Sequence, residues 1–464
     1  YLNMALIDKA SLLMVPSTYE AGKLYNVLPS GNRAPDNKGG AGYDQTRADF
    51  DFDRGSNAAA TRIGSDGLLK KYQENVLLQS NQFDTTWANA NTTETGGQSG
   101  YDGTNDAWLL TGTGGFPRLM QNVSVSGVNT ISVYAKANNN NYLVINMLYN
   151  GTGANAVFDI SNGVQTYVDF TPVSSNITNV GNGWWRVQVT INGVLGQSNF
   201  GLSNDGTVNG WVNFTSGSIY IQSAQLESGL CSTEYLNSTS VTAKAGVLID
   251  LPRINFDANG ENGALLLESS RANFIPYSEY FGDWVLDGNG AGQSVTANYS
   301  ISPEGLQNAY RLQLSFINGT YSRIRKSVTD SYSGAGVFSV YLKTNDGSTK
   351  TISMRWAGSG AISKTITSEW QRFDVSGTAI YTLGQDHELF IGSAEGDSNV
   401  VDLSIYGAMQ EAGSYATSYI PNHGTSGGVT RAADVNTLSN AISLDGDFAL
   451  FWEGAVFEDD IMLY

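Results

Sequence analysis

One long run of residues occurs twice in this chain of 464 residues, and the repeat limits what the chain can fold into. Residues 74–87 read ENVLLQSNQFDTTW, and residues 272–284 read ANFIPYSEYFGDW. Further matches follow in the same order, such as ISVYAK at 131–136 and FSVYLK at 338–343. Each copy spans about 180 residues, whereas solenoid repeats are roughly 20–50 residues long, so each copy is expected to form one domain.

The composition and the residue pattern inside each copy predict β-strands. The chain contains 53 glycines, 24 tyrosines and only 9 prolines, and 15% of its residues are charged. Such a mixture of aromatic and turn-forming residues is typical of short strands joined by tight turns. In NTISVYAKA at 129–137, apolar residues alternate with polar ones at the period of a strand. We therefore expect an all-β protein of tandem β-sandwich domains, each of the jelly-roll type.

Four segments are predicted along the chain. Residues 1–66 include a Gly/Asn/Asp-rich stretch with too few apolar residues to bury a core, so we expect an extended attachment segment. The first module is placed at 67–250 and the second at 251–435. Residues 436–464 begin a new alternating pattern and are interpreted as the start of a third, truncated β-domain.

Charge and cysteine content argue against several classes of protein. The net charge of −18 disfavours a nucleic-acid partner, because phosphate binding is built on clustered Lys and Arg. We expect no membrane partner, since no apolar run approaches the roughly 18 residues of a membrane span, and the chain does not open on a signal peptide. Cys231 is the only cysteine, so no disulfide forms within the chain. An acidic surface of low charge density suits solubility or a neutral, polyhydroxylated partner.

The sequence offers no recognisable catalytic constellation. His387 and His423 are the only histidines, and neither stands in a motif for nucleophilic or metal-assisted chemistry. Two carboxylates about 5–10 Å apart would suffice for glycoside hydrolysis, but none of the 43 acidic residues occupies a recognisable setting. We therefore expect no enzyme activity from these residues.

Aromatic side chains are the candidates for glycan binding, because the apolar faces of sugars stack on Trp and Tyr. Aromatic residues that recur in both copies, such as Trp184 and Trp370, are interpreted as core. The unmatched aromatic residues are the candidate glycan-binding set, with a structural role as the alternative for each: Tyr142, Trp185, Trp211 and Trp356.

Two segments resemble virion proteins of tailed phages, of the tail-fibre and head-spike type. Residues 251–284, which include Pro252, Arg253 and Glu268, are similar to a segment that recurs in those proteins. Residues 407–435 resemble the usual end of the same module. The opening of each copy also resembles the start of jelly-roll carbohydrate-binding modules. The resemblance implies tandem carbohydrate-binding-like modules on a virion, often followed by a lectin-like sandwich.

The same resemblance implies a structural calcium ion in each copy. Jelly-roll carbohydrate modules often hold calcium between their first and last strands, and calcium prefers oxygen ligands. The matching positions are Asn75 with Glu227 in the first copy, and Asn273 with Glu411 in the second. The alternative is that these carboxylates accept hydrogen bonds from the backbone at the sheet edge.

The favoured hypothesis is a phage virion protein on the exterior of the particle, in a head or tail fibre or spike. Its N-terminal segment would bind other virion proteins, and its modules would attach to host surface glycans. The resemblance implies that the chain assembles into a homo-oligomer, specifically a trimer. One alternative is a secreted or cell-surface carbohydrate-binding protein, such as the accessory part of a glycoside hydrolase. Another is a structural spacer without a ligand.

Overall fold

The computed structural model describes residues 14–20, 23–26, 50–55, 59–249, 251–261, 263–288, 292–316, 321–327, 332–356, 360–381, 386–391 and 397–438. This part of the chain is built almost wholly from antiparallel strands, as the sequence predicts. No helix within it is long and apolar enough to cross a membrane.

The first half of the chain contains eighteen of the described strands and one short helix. They are β1 Met14–Glu20, β2 Lys23–Asn26, β3 Phe50–Asp53, β4 Thr61–Ile63, β5 Leu69–Asn75, β6 Ala88–Ala90, β7 Thr92–Gln98, β8 Ala107–Gly112, β9 Arg118–Val125, β10 Val128–Ala137, β11 Tyr142–Tyr149, β12 Thr152–Asp159, β13 Val164–Val168, β14 Ser174–Gly181, β15 Trp184–Asn192, β16 Leu195–Ser203, α1 Val208–Val212, β17 Gly217–Ser228 and β18 Ala243–Gly246.

The second half contains fifteen described strands and a 3₁₀ turn at Phe281–Asp283. The strands are β19 Arg253–Asn255, β20 Ala264–Leu266, β21 Arg271–Asn273, β22 Val285–Gly288, β23 Ser294–Ser300, β24 Ala309–Ser315, β25 Ser322–Ser327, β26 Tyr332–Thr344, β27 Lys350–Arg355, β28 Ile362–Ile366, β29 Gln371–Tyr381, β30 Asp386–Ile391, β31 Val400–Ala412, β32 Val429–Arg431 and β33 Val435–Leu438.

Both modules are sandwiches with the same strand order. In the first module one sheet runs β14-β15-β10-β17-β8-β7 and the other β13-β12-β11-β16-β9-β6. In the second module the sheets run β29-β26-β31-β24-β23 and β28-β27-β30-β25-β22. The orders match strand for strand, and the first module adds β14 and β13 at the edges. This confirms the prediction of tandem all-β sandwiches, with ISVYAK in β10 and FSVYLK in β26 at equivalent positions.

Alternating apolar residues fill the space between the two sheets of each module. In the first module Ile131 and Val133 of β10 point inward and meet Phe158 and Phe200 from the facing sheet, all fully buried. Burying a side chain of this size stabilises the fold by about 1.5–3 kcal/mol. The outer face of β10 is covered as well, because Tyr101 stacks on Tyr134 with ring centroids 3.7 Å apart.

Residues that precede the first module pack against the second. Strand β4 pairs with β5, and Thr61 Oγ1 donates to the carbonyl of Tyr419 at 2.6 Å. Strand β3 pairs with β33, so the chain enters and leaves the two modules at one place. The four predicted segment boundaries stay predictions. Of the segment predicted as a third domain, 439–464 lies outside the described residues, as do 1–13 and 27–49 of the attachment segment.

A buried group of charged and phenolic side chains joins the two modules. We call it the junction cluster: Lys71 of β5, and Glu279, Glu304, Tyr406 and Tyr419 of the second module. Lys71 Nζ lies 2.9 Å from Glu279 Oε1 and also pairs with Glu304. Glu279 Oε1 accepts hydrogen bonds from the hydroxyls of Tyr406 at 2.9 Å and Tyr419 at 3.0 Å. The first strand of one module is therefore tied electrostatically to the interior of the next.

Candidate functional site

The two asparagines predicted as calcium ligands fasten the strand ends of their modules. Asn75 Nδ2 donates to two backbone carbonyls at 2.9 and 3.0 Å, and its Oδ1 accepts from two backbone N–H groups at 3.1 and 3.2 Å. Asn273 makes the four equivalent bonds in the second module, at 2.7–3.2 Å. Both side chains are fully buried. Each amide therefore links chain segments that are far apart in the sequence, through hydrogen bonds from its side chain to their backbones.

The two glutamates predicted as calcium ligands form a second matched pair. Glu227 accepts from the N–H of Thr233 at 2.9 Å and from its hydroxyl at 2.6 Å, one bond to each carboxylate oxygen. Glu411 accepts in the same way from Thr417, at 2.8 and 2.6 Å. Burial raises the pKa of both carboxyls above the usual range.

These contacts do not fit a calcium ion. Every predicted ligand oxygen already accepts a hydrogen bond from the protein, and calcium takes six to eight oxygen ligands, which these two residues of each module do not supply. Among the described residues no group of three or more His, Cys, Asp or Glu side chains is placed to hold a metal ion. The alternative given by the sequence, carboxylates that accept hydrogen bonds at the sheet edge, accounts for Glu227 and Glu411.

Two of the predicted glycan-binding tryptophans are buried. Trp356 has no exposed surface and lies in the core of the second module, with its ring against the backbone of Gly336. A side chain without exposed surface cannot stack on a sugar, so Trp356 is a core residue and not a ligand contact. Trp211, in α1, is 6% exposed, and its Nε1 donates to the carbonyl of Pro117 at 3.0 Å.

The other two predicted aromatic residues are partly buried and lie on opposite sheets. Trp185 of β15 packs against the core, and its ring lies against the place where a Cβ of Gly163 would stand, so a side chain does not fit there. Tyr142 begins β11 and packs beside Trp211 and Val144 on the outer face of the other sheet. The structure therefore brings Tyr142 and Trp211 together and separates them from Trp185 and Trp356.

A line of amide side chains crosses this same outer face, next to Tyr142 and Trp211. We call it the asparagine row: Asn199 of β16, Asn146 of β11 and Asn155 of β12, with Asp169 at the end. Strand register places them side by side, because Asn146 is the partner of Asn199 on one side and of Asn155 on the other. Residues directly opposite on one face of a sheet are close enough to interact.

The hydrogen bonds of the row all run in one direction. Asn199 Nδ2 donates to Asn146 Oδ1 at 2.6 Å, and Asn146 Nδ2 donates to Asn155 Oδ1 at 2.8 Å. Asn155 Nδ2 then donates to Asp169 Oδ2 at 2.6 Å. A carboxylate can only accept, so Asp169 fixes the orientation of each amide in turn.

The orientation leaves an acceptor at the other end of the row. Asn199 is 1% exposed, and its Oδ1 has no hydrogen-bond partner among the described residues. An unsatisfied buried acceptor costs roughly 1–3 kcal/mol. The row is therefore a polarised chain of amides that ends in a buried acceptor oxygen.

An aromatic rim borders the row on the side of α1. Gly201 lies two residues beyond Asn199 on the same face of β16, and the Trp211 indole covers it, 3.0 Å from where a Cβ would stand. Phe116 meets Trp211 edge-on, with ring centroids 5.1 Å apart. Phe116 is 42% exposed and has a φ of +57°, which is a strained backbone for a bulky residue. Backbone strain of this kind often marks a functional position.

The other side of the row is polar and uncharged. Gln197, two residues before Asn199 on β16, donates to Asn122 of β9 at 2.8 Å. Its partner on β11 is Leu148, which is 42% exposed. This open surface therefore combines amides with one apolar side chain. It can offer hydrogen bonds to hydroxyl groups and apolar contact to C–H groups, and Asp169 is the charged member of the row.

Sequence reasoning missed the asparagine row. Asparagine is abundant in this chain, and positions 146, 155 and 199 become neighbours only through the pairing of three strands. The available signal was weak: each of the three stands at an outward position within an alternating apolar strand. The aromatic criterion found only Tyr142 and Trp211, at the border of the row.

Burial affects the protonation of both histidines. His387 is buried and its ring stacks on Phe338, with centroids 5.2 Å apart. Burial lowers the pKa of His387 to about 3, so its ring is neutral at ordinary pH. His423 lies at the module junction, with Nδ1 4.0 Å from Glu279 Oε2. Burial also lowers the pKa of His423.

Comparison with known proteins finds distant structural likeness and no relative in sequence. No protein-family model matches the chain, and no curated protein matches it. The enzymatically active domain of tailspike protein 4 from bacteriophage CBA120 matches 30% of this chain and 21% of its own, at 13% identity and a TM-score of 0.22. The carbohydrate-binding module TmCBM61, solved with β-1,4-galactotriose, matches 30% of this chain and 97% of its own, at 14% identity and a TM-score of 0.23.

A third solved structure is the tandem CBM22-1–CBM22-2 domain of Xyn10C from Paenibacillus barcinonensis. It matches 78% of this chain and 100% of its own, at 11% identity and a TM-score of 0.22. Superpositions this loose do not distinguish one function from another. The functional conclusion therefore depends on the geometry of the asparagine row.

Proposed function

We propose that the first module binds a neutral glycan across the asparagine row. The observation that supports this most directly is the oriented amide chain, whose middle member, Asn146, is partly exposed. A sugar hydroxyl that meets the Asn146 amide would form a hydrogen bond worth about 0.5–1.5 kcal/mol. Asn199 holds that amide in place by donating to its Oδ1.

The dimensions and chemistry of the surface suit a short stretch of sugar chain. The row crosses three adjacent strands, which are about 4.8 Å apart, so it extends over roughly 10 Å. Leu148 on one side and Phe116 on the other, each 42% exposed, offer apolar contact for pyranose C–H faces. Since the open surface combines amides with apolar groups, we expect it to prefer neutral over acidic glycans.

Binding without catalysis is part of the proposal. Glycoside hydrolysis uses a pair of carboxyl groups that flank the scissile bond. The row includes one carboxylate, Asp169, and both of its oxygens accept hydrogen bonds from Asn155, at 2.7 and 2.6 Å. A carboxylate held in this way orients the amides and does not transfer a proton.

Asn199→Ala tests the glycan site. We expect the protein to bind a subset of neutral glycans on an array, and the substitution to weaken that binding about tenfold or more. Asn176→Ala, on the exposed edge strand β14 of the other sheet, is the matched control and should bind as the wild type does. Equal binding by wild-type and Asn199→Ala proteins with unchanged melting temperatures would refute the site.

The wider setting that we propose is the exterior of a phage virion. The resemblance of residues 251–284 and 407–435 to tail-fibre and head-spike proteins supports it. In this setting residues 1–66 bind other virion proteins, the chain forms a trimer, and the glycan belongs to the host surface. Antibody labelling of particles should place the protein on the virion, and light scattering should show three chains.

A secreted or cell-surface carbohydrate-binding protein is the second candidate. The same asparagine row would serve it, because the geometry of the site does not depend on the particle. A labelled virion preparation that lacks the protein, together with retained glycan binding, would favour this candidate over the virion.

A further inference from the structure

The second module has a surface equivalent to the asparagine row, and its residues are different. Residues 352–354 read Ile-Ser-Met where residues 145–147 read Ile-Asn-Met, and the triplets lie on equivalent strands, β27 and β11. Ser353 has Phe390 as its strand partner, as Asn146 has Asn199. Ser353 and Phe390 therefore stand where the first module has Asn146 and Asn199.

Ion pairs cover the rest of this second surface. We call these six side chains the arginine network. Its arginines are Arg323 and Arg325 of β25 and Arg355 of β27. Its carboxylates are Asp287 of β22 and Asp386 and Glu388 of β30. Arg325 lies 2.6 Å from Asp287 and 2.9 Å from Asp386. Glu388 receives Arg323 at 2.5 Å and Arg355 at 3.1 Å, and Arg323 also pairs with Asp287.

The arginine network balances its charges internally. Three guanidinium groups face three carboxylates, and each carboxylate has at least one guanidinium within hydrogen-bond distance. Although burial alone would raise the pKa of Asp287, hydrogen bonds from Arg323 and Arg325 hold it below its usual range. Charge-assisted bonds of this kind are roughly twice as strong as neutral ones, so a sugar hydroxyl would have to displace the stronger partner.

The aromatic side chain on this surface is also covered. The Arg355 guanidinium lies over the Phe390 ring, 5.1 Å from its centroid. A guanidinium in that place occupies the face on which a pyranose would stack. The second surface therefore lacks both features that characterise the first, the oriented amides and the accessible apolar contact.

We propose that glycan binding in this chain is confined to the first module, and that the arginine network closes the equivalent surface of the second. The inference rests on the proposed glycan site of the asparagine row. It has a direct consequence for valency: each chain contributes one site, although it carries two sandwiches. Multiple attachment then depends on the number of chains in the assembly, not on the number of modules in a chain.

Counting sites on the full chain tests this inference. Equilibrium dialysis against the neutral oligosaccharide that binds most tightly on the array should give one site per chain. Asn199→Ala should remove that site, while Arg355→Ala, which uncovers the Phe390 ring and removes one of the arginine partners of Glu388, should leave the number of sites and their affinity unchanged. Melting temperatures of both variants check that the modules stay folded.

The outcomes separate this inference from the proposed function. Two sites per chain, or residual binding in Asn199→Ala that Arg355→Ala abolishes, would overturn the confinement to the first module and leave the glycan function standing. Failure of the wild-type chain to bind any neutral oligosaccharide would overturn the glycan function and this inference with it. One site that depends on Asn199 and not on Arg355 supports both.

Discussion

Replacing Glu304 with Gln should stabilise the docked modules at pH 8 and have little effect at pH 5. The junction cluster holds one cation, Lys71, between two buried carboxylates, Glu279 and Glu304. One negative charge is therefore in excess in a site that excludes water. Burial raises the pKa of Glu304 to about 7; the nearby charge of Glu279 adds to this rise, while Lys71 opposes it.

The rise in the pKa of Glu304 sets the magnitude and the sign of the effect. A carboxyl pKa that moves from 4.5 to about 7 on folding corresponds to about 3 kcal/mol. The folded state binds this proton more tightly than the unfolded state, so the free energy of unfolding falls as pH rises through that window. Glutamine keeps the shape and carries no charge, so the variant should not lose this free energy above pH 7.

Urea unfolding at pH 5 and pH 8, followed by tryptophan fluorescence, measures the difference. The Glu304→Gln variant should be close to the wild type at pH 5 and more stable by up to about 3 kcal/mol at pH 8. Glu369→Gln, at an exposed carboxylate, is the control and should show no such dependence on pH. A difference of the same size at both pH values, or a variant less stable than the wild type at pH 8, would refute the assignment of the excess charge to Glu304.

Two further predictions concern the matched fastenings of the modules. Asn273→Ala removes four buried hydrogen bonds. At about 1 kcal/mol for each bond, it should lower the free energy of unfolding by about 4 kcal/mol. Asn259→Ala, in an exposed turn, is the control and should change the free energy of unfolding little. Because the oxygens of Glu227 and Glu411 are occupied by protein donors, EDTA should leave the melting temperature unchanged, and a decrease that calcium restores would contradict this account.

Local sequence pattern was sufficient to predict the class of fold. Alternation within strands such as β10 reports which side chains can face a core, and it depends only on neighbouring residues. The repeat predicts, in addition, that the two copies have the same strand order. Both expectations need no long-range contact, which explains why the tandem all-β sandwiches were predictable.

The binding surface depended on tertiary structure. An unmatched tryptophan is equally compatible with core and with surface, and burial in the second sandwich decided that Trp356 belongs to the core. Asn146 is 9 positions from Asn155 and 53 positions from Asn199 along the chain. Only the register of β11 with β12 and β16 aligns the three residues. No local pattern determines that register, because it results from packing the whole sheet against its partner.

The chain composition by itself predicts which kinds of partner the protein disfavours, and the proposed place where a partner binds depends on the tertiary structure. Net charge is a sum over residues and needs no coordinates, so an acidic chain argues against nucleic acid at once. The balance of individual charges is local. Lys71 meets Glu279 and Glu304 across more than two hundred residues, and the arginine network closes a surface that the first module leaves open, because folding brings distant side chains into contact.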